Sequence, residues 1–450
     1  MIAARLSRIV IGQILLVSLV ATVPGPSHAQ VKPASTSAPP KAGTGTAVPT
    51  RSGPGRAAAA QFKKAEAAYK LKQYKAAIAG FVRAIELDPD YAEAHARLTS
   101  IVQEHGEGDE AARLSWLEKQ YESWAAKHPD RAIFPATIGR TLYYADPAKA
   151  ERYSRRAVEI DPAYSTAWHQ LSLLADIRGE NREAAEHLRR AHEAKPDDPA
   201  FLFYYARALA KVDPDASLEM QLSVPERFPT DERGAQALYW LGVDASSRDE
   251  KVAYLERLRR QYAPAKFRWA ENGTESLYEM YSLDDPSKAL ALAREMVKAL
   301  PAKGARPKWE TRLALEETLA EARTLLAGGR PKDALARLKR VKTVPREAQT
   351  PFLLVKWEAA IAAGDLQPTY DDILSKVARE PKPRWVEALG RLARALHKAD
   401  TQVSAELAAL REKNATPAAD FTLERSDGSG TASLADYRGK VVLLNFWFPT

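Results

Sequence analysis

Side chains that could carry out chemistry are scattered along this 450-residue sequence and form no recognisable catalytic constellation. There is no cysteine, and the eight histidines do not have the spacings of a zinc site. His187 and His192 lie five residues apart, so they do not share one helix face well. We interpret the histidines as surface or interhelical residues. The sequence predicts no catalytic residue, no metal ligand and no cofactor.

Two acidic pairs, Asp197-Asp198 and Asp284-Asp285, could suggest acid–base chemistry. Each pair falls at a predicted turn between helices. Aspartate is a favoured N-cap residue, because its carboxylate accepts hydrogen bonds from the first free amides of a helix. The position of the pairs therefore predicts helix capping.

Short strand-like motifs fill residues 416–450. Residues 419–424 alternate apolar and polar side chains, 426–430 form a Gly-containing turn, and 431–434 form a short return strand. Residues 440–447 then form a run of Val, Leu and aromatic side chains, which is typical of a strand buried on both faces of a parallel sheet. These motifs predict the β-rich beginning of an α/β domain.

In this order, the motifs resemble the opening of a thioredoxin-like redoxin domain, and most closely that of exported thiol-disulfide oxidoreductases with a Cys-x-x-Cys motif. In that family three residues separate the Trp that ends the strand from the nucleophilic Cys, and here Phe448, Pro449 and Thr450 follow Trp447. The resemblance implies that Trp447 flanks the redox site and that the coding sequence continues with a Cys. Without any Cys, these 450 residues cannot exchange thiols themselves.

Two alternatives for residues 416–450 remain open. The pair Pro449-Thr450 is also compatible with a peroxide-reducing peroxiredoxin, whereas Asn445-Phe446-Trp447 favours the disulfide oxidoreductases. A degenerate β-appendage without redox chemistry is the second alternative.

The N-terminus has the pattern of a secretory signal peptide. Arg5 and Arg8 precede an apolar stretch over residues 9–23, and Ser27-His28-Ala29 fits the small-x-small cleavage pattern. We expect residues 1–29 to be removed between Ala29 and Gln30, which predicts a periplasmic or otherwise extracytoplasmic protein. Only an uncleaved signal segment would contact a membrane. Residues 30–57 are rich in Pro, Gly, Ser and Thr and are predicted to be a disordered linker.

Residues 58–412 show a helical pattern that repeats. Pro129, Pro162, Pro196 and Pro229 lie 33, 34 and 33 residues apart, which is the period of the tetratricopeptide repeat. In three units one Ala stands twelve and another five residues before the Pro: Ala77 and Ala84, Ala150 and Ala157, Ala184 and Ala191. Small residues at these positions let two helices cross closely. The pattern predicts a mainly α protein, a tetratricopeptide-type helical solenoid followed by the incomplete thioredoxin-like domain at 416–450.

Ser154 stands where a repeat usually has a large residue, and residues 383–412 are predicted to be helical throughout. Trp116 and Trp124 are eight residues apart and fall close on one helix face, which predicts that both pack in the core between repeats. An exposed platform for a ligand is the alternative role of this pair.

The charged and aromatic residues indicate what kind of partner the repeats could bind. The sequence has 66 Lys and Arg against 58 Asp and Glu, with basic clusters at 189–190, 257–260 and 337–340. Aromatic residues lie nearby: Tyr204, Tyr205, Tyr254, Tyr262 and Trp269. A nucleic-acid surface is disfavoured, because the charges are mixed and an exported chain rarely meets nucleic acid. A mildly basic groove for acidic peptides or proteins is the better interpretation, since stacked repeats create extended surfaces.

Two functions are therefore predicted. The first is an exported thiol-disulfide oxidoreductase whose repeats recruit partners. The second is a non-enzymatic extracytoplasmic scaffold that binds proteins or peptides in the groove.

Overall fold

The computed structural model describes residues 54–416, 418–425, 429–440 and 442. The predicted signal peptide, its cleavage site at Ala29 and Gln30, most of the linker, and the residues from Trp447 to Thr450 lie outside these ranges. The following description concerns the unit that begins at Gly55.

Twenty α-helices lie in the described part of the chain. They are α1 (Arg56–Lys70), α2 (Tyr74–Leu87), α3 (Ala92–His105), α4 (Glu110–Lys127), α5 (Ile133–Leu142), α6 (Pro147–Ile160), α7 (Ser165–Ile177), α8 (Asn181–Ala194), α9 (Pro199–Leu209), α10 (Pro214–Arg227), α11 (Glu232–Asp244), α12 (Arg248–Gln261), α13 (Arg268–Asp284), α14 (Pro286–Ala299), α15 (Arg306–Ala327), α16 (Pro331–Lys339), α17 (Gln349–Ala362), α18 (Leu366–Arg379), α19 (Pro383–Ala395) and α20 (Asp400–Asn414). A short 3₁₀ turn at Arg346–Ala348 precedes α17. The predicted helical solenoid is confirmed.

Helix ends follow local chemistry. Four helices begin with Asp at the N-cap and Pro at the first helical position, at Asp146, Asp198, Asp213 and Asp285. In each, the carboxylate accepts a hydrogen bond from a backbone amide of the first turn, and Pro loses nothing there because that amide has no helical partner. Capping by Asp198 and Asp285 is therefore confirmed. The periodic prolines act at the other end, each two residues beyond the last residue of α2, α4, α6, α8 or α10.

The repeated alanines lie at the helix crossings, as predicted. Ala77, Ala84, Ala150, Ala157 and Ala191 are completely buried, and Ala184 nearly so. Each lies on an even-numbered helix that packs against the preceding odd-numbered helix. Any larger side chain at these crossings would push the paired helices apart.

Ser154 is buried because the neighbouring backbone comes unusually close. Its hydroxyl lies 2.8 Å from the carbonyl oxygen of Ala150 and 3.0 Å from Oε1 of Gln170. A Cβ added to Gly139 on α5 would stand 2.6 Å from that hydroxyl. A large residue at 154 would therefore not fit, and Gly139 explains this departure from the repeat pattern.

Five interhelical turns share one backbone geometry with a left-handed residue. Glycine occupies it at Gly179, Gly329 and Gly364, whereas Lys72 and His397 adopt φ of 58° and 55°. In each turn the next amide donates to a carbonyl five residues earlier, as in the bonds from Gln73 to Ala68 and from Lys398 to Ala393. The turn at His397 divides residues 383–412 into α19 and α20, so the prediction of uninterrupted helix there was wrong.

Successive helix pairs stack so that odd-numbered helices also contact one another, at α5–α7, α9–α11, α11–α13, α15–α17 and α17–α19. Neighbouring repeats come closer on the inner side of a curved stack than on its outer side. From α3 to α17 the odd-numbered helices therefore line the inner surface, whereas at the C-terminal end α18 and α20 also contact each other.

After α20, strands β1 (Thr422–Glu424) and β2 (Thr431–Ser433) form an antiparallel hairpin in which Leu423 pairs with Ala432. Both strands occur where the sequence predicts them. The alternation over residues 419–424 is typical of a strand buried on one face, but all three residues of β1 are exposed, so that interpretation is wrong. The fold is thus a helical solenoid followed by a short two-stranded sheet.

Candidate interaction surface

A band of half-buried aromatic and arginine side chains crosses successive odd-numbered helices. His169 on α7 stacks on Tyr204 of α9, with ring centres 4.8 Å apart and planes 11° from parallel. Arg233 on α11 also lies over Tyr204, with its guanidinium carbon 4.8 Å from the centre of that ring. Its Nη2 donates a hydrogen bond of 2.9 Å to the Tyr204 hydroxyl. Three helices are therefore joined through one arginine and two rings.

The band continues from α9 to α13. Arg207 lies over the ring of Trp240, 4.9 Å from its centre, and forms an ion pair with Asp244. Tyr239 and Trp240 both contact Trp269 on α13, with ring centres 5.0 and 6.1 Å apart. We call the set the aromatic–arginine band, which comprises His169, Tyr204, Arg207, Arg233, Tyr239, Trp240 and Trp269.

The band has the composition of a binding hot spot. Every member is partly exposed rather than buried. Trp, Tyr and Arg are the residues most enriched among those that dominate binding energy at protein interfaces, because they combine a large apolar area with polar tips. Because these residues lie on odd-numbered helices, their side chains belong to the inner surface of the solenoid.

Electrostatically, the band is positive around Arg233. No carboxylate among the described residues lies within 4.0 Å of its guanidinium; its hydrogen-bond partners are the Tyr204 hydroxyl and Oε1 of Gln236, and it also lies 5.7 Å from the centre of the Phe203 ring. Burial, together with the charge of Arg233, lowers the pKa of His169 below its ordinary value, so that ring is neutral at neutral pH.

A second arginine that lies against aromatic rings is on α15, and unlike Arg233 it is buried and paired with carboxylates. Arg312 is 1% exposed and lies 4.3 Å from the ring centre of Trp309 and 4.9 Å from that of Tyr278. Its Nη2 donates to Oε1 of Glu347 at 2.6 Å, and its Nη1 lies 3.5 Å from Glu275. We call these residues the buried arginine site. Here the chain itself supplies the carboxylates that Arg233 lacks.

Glu316 lies one helical turn after Arg312 and is also 1% exposed. Its Oε1 accepts a hydrogen bond of 3.0 Å from the Tyr278 hydroxyl, while its Oε2 has no partner among the described atoms. Burial raises the pKa of Glu316 to about 7, with partial opposition from Tyr278 and Arg323. For Glu347, burial is outweighed by hydrogen bonds from its own backbone and from Arg312, which lower its pKa.

Long-range contacts explain why this second site is covered. Helix α13 contacts both the 3₁₀ turn at 346–348 and α17. Arg384, at the start of α19, donates to Asp284 at the end of α13 at 3.2 Å, and Arg248 donates to the other oxygen of that carboxylate. These contacts bring residues 346–348, α17 and the start of α19 against α13, next to the buried arginine site.

The basic clusters singled out in the sequence are largely neutralised by neighbours. Arg189 pairs with Glu186 and Glu193, Arg259 with Glu256 and Glu295, and Arg337 with Glu321. The arginines of the first two runs are therefore paired, whereas Lys339 and Arg340 in the third run are exposed and form no ion pair between described residues.

The residues at the centre of the band were only partly anticipated. Tyr204 and Trp269 were noted as aromatic neighbours of basic residues, but Arg233, Tyr239 and Trp240 were missed. Aromatic and arginine residues at equivalent positions of consecutive odd-numbered helices are the sequence pattern that could have identified them. Trp116 was wrongly assigned to the core, since it is 40% exposed, whereas Trp124 is buried as predicted.

No group of three or more His, Cys, Asp or Glu residues among the described residues could hold a metal ion. Among the described helices, none combines the length and apolar character needed to cross a bilayer. His187, one of the scattered histidines, is buried and stacks against Trp168 with ring centres 5.5 Å apart.

Residues 58–91 match the model of the tetratricopeptide repeat family. This segment spans α1, α2 and the turn at Lys72, and it is one unit of the helical solenoid. No curated protein matches the chain.

Several solved structures resemble parts of the chain. The pilF protein of Pseudomonas aeruginosa is 19% identical, with 49% of this chain and 97% of that chain covered at a TM-score of 0.34. PilW, titled a widely conserved type IV pilus biogenesis factor, is 19% identical over 46% and 94% at 0.34. The C-terminal part of a repeat protein from Cytophaga hutchinsonii is 16% identical over 55% and 98% at 0.37. At these scores the likenesses carry no information about partners.

Proposed function

We propose that the chain is a protein-interaction scaffold whose inner surface binds segments of partner proteins or peptides. The observation that supports this most directly is the aromatic–arginine band, because it concentrates large, partly exposed Trp, Tyr and Arg side chains on adjacent helices. A matched tetratricopeptide repeat at 58–91 supports the same class of function. The extended surface of stacked repeats suits a long partner segment better than a compact substrate.

An affinity experiment with the full chain tests the scaffold. The variant combines Trp240→Ala with Arg207→Ala, which removes the ring and the cation stacked on it. The matched control is Trp116→Ala, an exposed tryptophan of α4 outside the band. Proteins retained from an extracytoplasmic extract are compared by mass spectrometry. We expect the band variant to lose specific partners that the control keeps, with both variants showing unchanged circular dichroism. Identical partner sets for all three proteins would refute the proposal.

A second candidate is that the scaffold belongs to an exported thiol-disulfide oxidoreductase, with the band recruiting its clients. The hairpin of β1 and β2 supports this candidate, because it lies at the two strand positions that the redoxin resemblance implies. The N-terminal signal pattern also supports an oxidising, periplasmic location.

The coding DNA beyond Thr450 tests the redox candidate. We expect a Cys codon at the next position and a second Cys three residues later. A greater distance to the first Cys would favour the peroxiredoxin alternative. A stop codon, or a reading frame without such cysteines, would exclude both redox functions and leave the scaffold.

A further inference from the structure

We infer that Arg233 is the receptor for a carboxylate of the partner, and that the partner is an extended acidic segment with an apolar side chain three residues from its acidic residue. This inference rests on the proposed scaffold function and names the chemistry of its partner.

The chain contains its own example of such a contact. At the buried arginine site, Arg312 lies against Trp309 and the Tyr278 ring from the preceding odd-numbered helix, as Arg233 lies against Tyr204. The carboxylate of Glu347 binds Arg312 through its Nε and Nη2 at 2.9 and 2.6 Å. Glu347 is presented by the short turn at 346–348, which lies outside the α-helices. An arginine held by an aromatic ring on an odd-numbered helix thus binds the carboxylate of a short segment that packs against it.

Arg233 has the same support without the carboxylate. The aromatic ring, the hydroxyl of Tyr204 and the oxygen of Gln236 orient its guanidinium. Stacking and hydrogen bonding leave less side-chain entropy to be lost on binding. An incoming carboxylate would supply charge-assisted hydrogen bonds and the opposite charge, both of which are stronger beside partly buried groups than in open water.

The second recognition point follows from the geometry of α11. Trp240 is seven residues after Arg233, so both lie on nearly the same helix face, about 10 Å apart along the axis. Trp240, Tyr239 and Trp269 form a half-buried apolar cluster there. Extended chain advances about 3.3 Å per residue, so three residues bridge this separation. The matching segment has the form Glu-x-x-Phe.

Calorimetric titration of the full chain with short blocked peptides tests the inference. The probe has Glu-x-x-Phe within glycine and serine, and two matched peptides replace its Glu by Gln or its Phe by Ser. We expect the probe to bind with a dissociation constant tighter than about 1 mM and the Gln peptide to bind about tenfold or more weakly. Rising salt should weaken the probe's binding.

Variants of the protein test whether Arg233 is the residue that binds the peptide's carboxylate. Arg233→Gln should weaken binding of the probe about tenfold, and Arg233→Lys should fall between it and wild type, because lysine keeps the charge but not the planar fork. Arg182→Gln makes the same charge change at an exposed position of α8 and should leave affinity within about twofold.

Three results would overturn the inference: equal binding of the Glu and Gln peptides, unchanged binding by Arg233→Gln, or failure of the probe to bind wild type. If the Trp240→Ala, Arg207→Ala variant still loses its partners in the affinity experiment, the scaffold function survives and only the carboxylate assignment falls.

Discussion

Two arginines of this solenoid have similar aromatic supports and opposite surroundings. Arg233 between α9 and α11 is half-exposed, while Arg312 between α13 and α15 is 1% exposed and bound to Glu347. The difference arises from what lies over each arginine. Around Arg312 the chain continues across the groove through the turn at 346–348 and α17, and Arg384 ties α19 back to Asp284.

This contrast indicates that one residue pattern serves two purposes. Where later repeats cover it, an arginine on an aromatic ring holds the solenoid together, because its charge is matched by carboxylates from within the chain. Where nothing in the described residues covers it, the same arrangement is available to a partner. The three predictions below test this contrast, in order of decreasing effect.

The largest effect is expected from removing each arginine. Arg312→Gln should lower the free energy of unfolding by about 3 kcal/mol or more, because it leaves Glu347 beside a buried site without its cation. Arg233→Gln should lower it by about 1 kcal/mol or less, since it removes a ring contact and two partly exposed hydrogen bonds but breaks no ion pair between described residues. Urea denaturation followed by circular dichroism measures both values. Similar losses for the two variants would contradict the proposed difference between the sites.

The second prediction concerns pH. Because burial raises the pKa of Glu316 to about 7 in the folded protein, from an ordinary value of 4.5, the folded state binds this proton more tightly than the unfolded state. The resulting stabilisation is fully present below the ordinary pKa and is lost as the pH rises through about 7, by an amount on the order of 3 kcal/mol.

Hydrogen exchange over α13–α17 between about pH 5 and pH 8 measures this loss, after correction for the intrinsic exchange rate. Glu316→Gln should remove the dependence. Glu317→Gln, on the exposed side of the same helix, should leave it intact. A wild-type protein whose protection in this region does not fall with pH would contradict the assignment. The Arg233 region should show no comparable loss.

The smallest effect is expected at the left-handed turns, which do not differ between the two regions. Lys72→Gly in the first repeat and His397→Gly near the last should each stabilise the protein by about 0.5 kcal/mol. Removal of the left-handed strain outweighs the extra entropy of glycine in the unfolded chain. Gly179→Ala should destabilise it by about 1 kcal/mol. Urea midpoints report all three changes, and a loss of stability in Lys72→Gly would show that its side chain makes a compensating contact.

Much of the fold could be predicted because its determinants are local and periodic. Prolines two residues beyond a helix, Asp-Pro helix starts and alanines at fixed distances require no knowledge of distant residues. Predictions failed where one position depends on the packing of another element. Trp116 and Trp124 are eight residues apart and therefore differ by about 80° in helical phase, and only Trp124 is turned far enough toward the neighbouring helices to be buried. Ser154 fits only because Gly139 allows a close approach.

The sequence by itself therefore determined the class of fold, the prolines and aspartates that limit several helices, and the short strands of the hairpin, since backbone preferences and side-chain periodicity act over a few residues. It could not reveal which arginine is free. Arg233 and Arg312 are both ordinary residues near the beginning of an odd-numbered helix. Only the tertiary structure decides that Glu347 reaches one and no described carboxylate reaches the other, because the curvature of the stack brings residues from separate repeats together.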